Sequence, residues 1–149
     1  MVKSEIIKFT VIAPVFCEEE SLRELVNRIE QSFAGMGEKE SFEILIVDDG
    51  STDKTSLVLE NLELENSFVR SVTLRRNCGK SMALMAGFEH AKGELIFTMD
   101  GDLQDNPEDM PELLKELDKG FDMVSGWRQQ RQDQKMVARS QNGRRGCTV

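Results

Sequence analysis

Two aspartates separated by one glycine, Asp100 and Asp102, lie within the run FTMDGDLQD at residues 97–105. An apolar stretch, ELIFTM, leads straight into this cluster of carboxylates. Like charges packed together repel, and carboxylates are rarely buried without a partner. Something positive is therefore expected between them. Hard oxygen ligands select Mg²⁺ or Mn²⁺, and Mg²⁺ sites commonly combine one or two carboxylates with phosphate oxygens. Gly101 permits a turn that would aim both side chains at one site.

Competing motif readings fail on spacing. A calcium loop beginning at Asp100 would need Gly at 105 and Glu at 111, where Asp105 and Pro111 stand. CGKS at 78–81 resembles the end of a P-loop, but Leu74 occupies the place of that motif's first glycine. The segment GMGEKE lacks the third glycine of a dinucleotide fingerprint and precedes a strand. Cys17, Cys78 and Cys147 match no zinc or redox spacing and read as reduced thiols; the single histidine, His90, excludes a histidine metal cluster within the chain.

The elements that must position the aspartates alternate. KFTVIAPVF, FEILIVDDG, FVRSVTL, ELIFTM and FDMVSGW read as five strands. Between the first two, Leu22, Leu25, Val26, Ile29 and Phe33 recur with helical period. A second helix places Val58, Leu59 and Leu62 inward. A third, SMALMAGFEHA, is apolar nearly all round and is expected to be buried. A fourth starts near Asn106 and Pro107, buries Met110, Leu113, Leu114 and Leu117, and ends at Gly120. This alternation predicts right-handed βαβ units and a mostly parallel sheet covered on both faces.

In such sheets ligands bind beyond the C-terminal strand ends. Polar residues collect there: Glu18 after the first strand, Asp48 and Asp49 after the second, Arg75 to Asn77 after the third, Asp100 and Asp102 after the fourth, Arg128 after the fifth. Each has a plainer reading. Asp48 to Ser51 also fits a turn and helix cap, Glu18 a solvated helix start, and Arg128 surface charge. Their joint arrival on one rim points to a metal-held nucleotide diphosphate.

The chain has 149 residues and a net charge of −8, which argues against a general nucleic-acid binder. Residues 128–149 carry six basic side chains and one acid, so that segment is +5 and the preceding residues are −13. No apolar run reaches the 18 residues of a membrane span, and the N-terminus lacks the pattern of a signal peptide.

VIAPVFCEEESLRELV, EILIVDDGSTDKT, LRRNCGKSMALMAGFEHAKGELIFTMDGDLQDNPEDMPELL and DMVSGWR together resemble a family 2 glycosyltransferase of the GT-A fold. The resemblance is nearest to the polyprenyl-phosphate sugar transferases and covers residues 8 to about 128. It implies transfer of a sugar from a UDP- or GDP-sugar to an undecaprenyl or dolichyl phosphate, with inversion, aided by Mg²⁺ or Mn²⁺. It matches Pro14, Phe16 and Glu18 to a base-contacting segment, with Phe16 where many relatives have tyrosine. Val47 and Asp49 match a second base- and ribose-binding segment. Asp100, Gly101 and Asp102 match the metal-diphosphate motif, usually Asp-Ala-Asp, and Gln104 a residue near the metal. Arg128 matches an arginine that approaches the donor diphosphate; Asp102 and Arg128 are the expected catalytic pair.

Relatives of this kind continue well past 149 residues, so the expected organisation is a C-terminally truncated Rossmann-like domain. Residues 1–128 are its donor-binding part and 129–149 a basic, flexible tail. Expected partners are the nucleotide-sugar and the polyprenyl phosphate, with no nucleic acid. The expected location is the cytoplasmic face of a membrane, with peripheral contact through the tail. Oligomeric state, sugar and base stay open. The alternative is a catalytically inactive nucleotide-sugar-binding fragment lacking the acceptor region.

Overall fold

The structure is a computed structural model that describes residues 6–38 and 41–126. Four parallel strands form one sheet in the order β3-β2-β1-β4. They are β1 (Phe9–Val15), β2 (Phe42–Asp48), β3 (Val69–Thr73) and β4 (Leu95–Thr98). Helices α1 (Leu22–Met36), α2 (Thr55–Glu65) and α3 (Lys80–His90) connect them in turn. A 3₁₀ turn at Pro107–Asp109 leads into α4 (Met110–Leu117). By contact density the chain divides into two compact units, Met1–Met110 and Pro111–Val149.

β1 and β2 are buried along nearly their whole length, as continuous apolar runs inside a parallel sheet should be. One face of the first unit carries an aromatic cluster. Phe33 of α1 stacks on Phe42 of β2 at 4.2 Å between ring centroids and tilts against Phe9 of β1 at 5.4 Å. Phe97 of β4 meets Phe33 edge-on at 6.3 Å. The predicted α1 stripe, Leu22, Leu25, Val26, Ile29 and Phe33, is the stripe the fold buries. The alternate residues Ile12 and Val47 face the other way and pack under Ala83 of α3. There α3 lies so close that a Cβ on Gly87 would come within 2.5 Å of Ile12 Cγ2.

Four expectations change. Helix α3 is not buried all round: Ala83 and Gly87 are buried, but Met82, Met85 and Phe88 are each about half exposed. Only one side of it meets the sheet, over β1 and β2. Within α2, Leu59 and Leu62 are buried but Val58 is half-buried; within α4, only Met110 is fully buried. The fifth strand does not form among the described residues. Residues 121–126 join no ladder, and Phe121 and Met123 are exposed. Strand propensity is realised through pairing and burial, and that segment has neither here. Gly120, with φ +99, ends the helical turn before it as predicted.

The topology places the site. β1, β2 and β3 step outward in one direction, and α3 then returns the chain to the other side of β1. The crevice between β1 and β4 is thus the point where the connections reverse, where parallel sheets bind ligands.

Candidate active site

At the C-terminal ends of β1 and β4 lies an open cavity of about 340 Å³, a size typical of small-molecule sites. Pro14, Phe16 and Glu18 line it from the end of β1, and Asp49 from the end of β2. Asn77, Gly79 and Lys80 line it from the segment after β3; Asp100, Gly101 and Asp102 line it from the end of β4. Phe16 is 45% exposed.

Hydroxyls and backbone N–H groups hold these segments together. The Cys17 N–H donates to Ser51 Oγ at 2.8 Å, and the Glu18 N–H to Thr55 Oγ1 at 3.1 Å. Ser51 Oγ in turn donates to Asp48 Oδ1 at 2.5 Å, and the Ser51 N–H reaches the same oxygen at 2.9 Å. Asp48 is fully buried. It serves the turn-and-cap role weighed for it and is not among the cavity-lining residues. Asp49 accepts from the Cys78 N–H at 2.7 Å and the Gly79 N–H at 2.8 Å, fixing the loop after β3. Ser21 Oγ lies 2.9 Å from the Gly101 carbonyl oxygen and 3.0 Å from Glu18 Oε2, tying the start of α1 to the aspartate turn.

In that turn, the Asp100 N–H donates to Asp105 Oδ2 at 2.7 Å, and the Gln104 N–H to Asp102 Oδ1 at 3.1 Å. Leu103 takes a left-handed conformation, φ +63. A Cβ on Gly101 would approach Val15 Cγ1 to 2.5 Å, so the turn packs directly on the end of β1. The Lys80 ammonium pairs with Asp100 Oδ1.

Of the residues singled out in the sequence, Pro14, Phe16, Glu18, Asp49, Asp100, Gly101 and Asp102 converge on the cavity. Val47 does not: it is fully buried beneath α3. Gln104 is exposed and is not among the lining residues. Arg128 and the basic tail lie outside the described residues. Asn77, read in the sequence as part of the polar rim after the third strand, lines the cavity. Lys80 and the clamping hydroxyls of Ser21 and Thr55 were not singled out; the clue for Lys80 was its place in the same polar loop.

The family model for glycosyl transferase family 2 matches residues 10–145. The chain belongs to that family. Its four-stranded parallel sheet flanked by helices is the Rossmann-like GT-A arrangement found among solved structures. A crystal structure of S. aureus TarS is 28% identical, with a TM-score of 0.60, over 75% of this chain and 32% of that one. The Pyrobaculum calidifontis mannosyltransferase PcManGT, solved with GDP-Man and Mn²⁺, is 24% identical with a TM-score of 0.65, over 78% of this chain and 33% of that one. Glucosyl-3-phosphoglycerate synthase from Mycobacterium tuberculosis, solved with Mn²⁺, UDP and glucosyl-3-phosphoglycerate, is 22% identical with a TM-score of 0.56, over 74% and 39% respectively. This family 2 chain thus spans about a third of the length of the first structures it matches. No helix among the described residues is long and apolar enough to cross a membrane.

Proposed function

We propose that this chain is the donor-binding part of a metal-dependent, inverting glycosyltransferase using a UDP- or GDP-sugar and a polyprenyl phosphate acceptor. The observation that carries the reading is the meeting of Phe16 and Glu18 with Asp100 and Asp102 across one cavity at the β1/β4 crevice. The metal fits the donor set. Two hard carboxylates, Asp100 and Asp102, line one cavity, and no cluster of three or more metal-binding side chains occurs among the described residues. Such a pair suits a Mg²⁺ or Mn²⁺ ion that completes its shell with phosphate oxygens and water. Asp100 and Asp102 would hold it, with Gln104 nearby. When bound, the ion neutralises charge on the diphosphate.

In this reading Phe16 stacks on the base, while Pro14, Glu18 and Asp49 shape the nucleoside pocket. An acceptor phosphate oxygen forms the new bond to the anomeric carbon as the bond to the diphosphate breaks, and the nucleoside diphosphate departs. That oxygen is already anionic near neutral pH, so no strong base is required. Arg128 stabilises the departing diphosphate. The sugar and acceptor rest on the motif resemblance; membrane contact through residues 129–149 belongs to the same proposal.

Calorimetric titration with UDP, GDP and their sugar forms, with and without Mn²⁺, tests the donor site. Metal-dependent binding that Asp102→Ala abolishes is expected, and its absence in a folded chain refutes the reading. A second reading is donor binding without turnover. Product formation with a polyprenyl phosphate excludes that one.

A further inference from the structure

Lys80 opens α3, and its ammonium lies against Asp100, one of the two carboxylates assigned to the ion. Among the described residues lining the cavity, the charged groups are Glu18, Asp49, Asp100, Asp102 and one cation, Lys80. Its backbone is not left to chance. Asp49 grips the N–H groups of Cys78 and Gly79 immediately before it. Its side chain is 59% exposed, whereas that of Asp100 is 26% exposed. The lysine head therefore has room to move, and the carboxylate has less.

We propose that Lys80 is an internal stand-in cation: it neutralises Asp100 while the divalent ion is absent and passes to the diphosphate when ion and nucleotide arrive together. The inference rests on the donor-site reading above. A partly exposed ion pair is weak enough for a dication to displace. The ion arriving alone must evict the ammonium and then face it as a like charge. A diphosphate removes that penalty by giving the ammonium a new anionic partner. Ion and nucleotide therefore strengthen each other's binding, and by linkage to the same factor. A lysine suits this task because its charge is compact and its stem flexible.

The test measures Mn²⁺ binding by electron spin resonance, without nucleotide and with UDP or GDP, in wild type, Lys80→Met and Lys80→Arg. For Lys80→Met, Mn²⁺ alone should bind about three- to fivefold tighter, because its competitor is gone. Nucleotide binding at saturating Mn²⁺ should weaken by about threefold or more, and the coupling factor should fall by about tenfold. Lys80→Arg, which keeps the charge, should retain part of the coupling and fall between wild type and Lys80→Met. A lysine that only shaped the start of α3 would weaken both ligands on removal. Weakened or unchanged binding of Mn²⁺ alone in Lys80→Met, with nucleotide still bound by wild type, overturns this inference and leaves the donor site standing. Failure of wild type to bind nucleotide even with Mn²⁺ overturns both.

Discussion

Replacing Glu43 by glutamine should cost about 2–3 kcal/mol of stability at neutral pH, although Glu43 is far along the strands from the cavity. The carboxylate is buried at 2% exposure, near the N-terminal ends of all four strands. Its Oε1 accepts from Thr10 Oγ1 and from the Lys92 N–H, each at 2.8 Å. Its Oε2 accepts from Arg70 Nη1 at 2.7 Å. Thr10 Oγ1 also accepts from the Gly93 N–H at 2.9 Å, so its proton is committed to Glu43. One acid thus staples β1, β2, β3 and the entry to β4. A glutamine oxygen can replace Oε1, but its NH₂ then confronts the Arg70 guanidinium, donor to donor. A charge-assisted bond is lost, worth about 1.5–3 kcal/mol, and an arginine is left without its anion. Arg70 is one-third exposed, so water recovers part of that cost. Burial pushes the Glu43 carboxyl up, but the bonds from Arg70, Lys92 and Thr10 outweigh burial and hold it below the usual glutamate value. A lowered folded value stabilises the fold fully above the unfolded value, about 4.3, and the contribution disappears as pH falls through the folded value. Urea denaturation should therefore show a midpoint lowered by about 1 M for Glu43→Gln at pH 7, with the gap closing below about pH 4. Equal midpoints at pH 7, or a gap of constant size from pH 7 to pH 3, would refute this account.

Two further changes probe the rim. Ser51→Ala leaves the buried Asp48 with only the Ser51 N–H and Ser56 Oγ, at 3.3 Å, and frees the Cys17 N–H; it should cost about 1–2 kcal/mol in thermal melts and weaken nucleotide binding. An unchanged melt would mean that the hydroxyl clamp is idle. Gly101→Ala drives a methyl into Val15 Cγ1, so it should destabilise by about 1–3 kcal/mol. Val15→Ala should relieve part of that loss, giving a favourable coupling of about 1 kcal/mol in a double-mutant cycle; simple additivity would show that the turn gives way elsewhere.

What the sequence revealed follows from which signals are local. The α1 stripe and the β1 and β2 runs have periods that a chain cannot disguise, and each is buried as read. The rim was legible because a parallel sheet sends every strand's C-terminal end the same way, so Asp49 and Asp100 had to arrive together. α3 misled because apolar composition reports what a helix is able to bury, not what is there to cover it. Met82, Met85 and Phe88 are exposed on the sides that the sheet does not reach. Residues 121–126 misled for a related reason: a strand is a property of a pair, and periodicity describes one member. Val47 has the right neighbours in sequence, yet strand alternation turns it under α3 rather than up to the rim.

The rim acids also differ in what remains for a ligand, and sequence alone does not separate them. Asp48 and Asp49 are adjacent, but the first accepts from Ser51 and Ser56 while the second takes two backbone N–H groups from the loop after β3. Asp49 lines the cavity, whereas the buried Asp48 only holds the turn behind it. Asp102 is exposed at the cavity edge, and Asp100 is paired with a lysine that has room to leave. A diphosphate entering alone would meet more negative charge than Lys80 offsets, and the Coulomb cost grows as the cavity excludes water. Under the proposed donor reading a cation enters with it, received by the two aspartates at the β4 end. On these grounds nucleotide affinity should depend on divalent ion more steeply than on any single contact to the base.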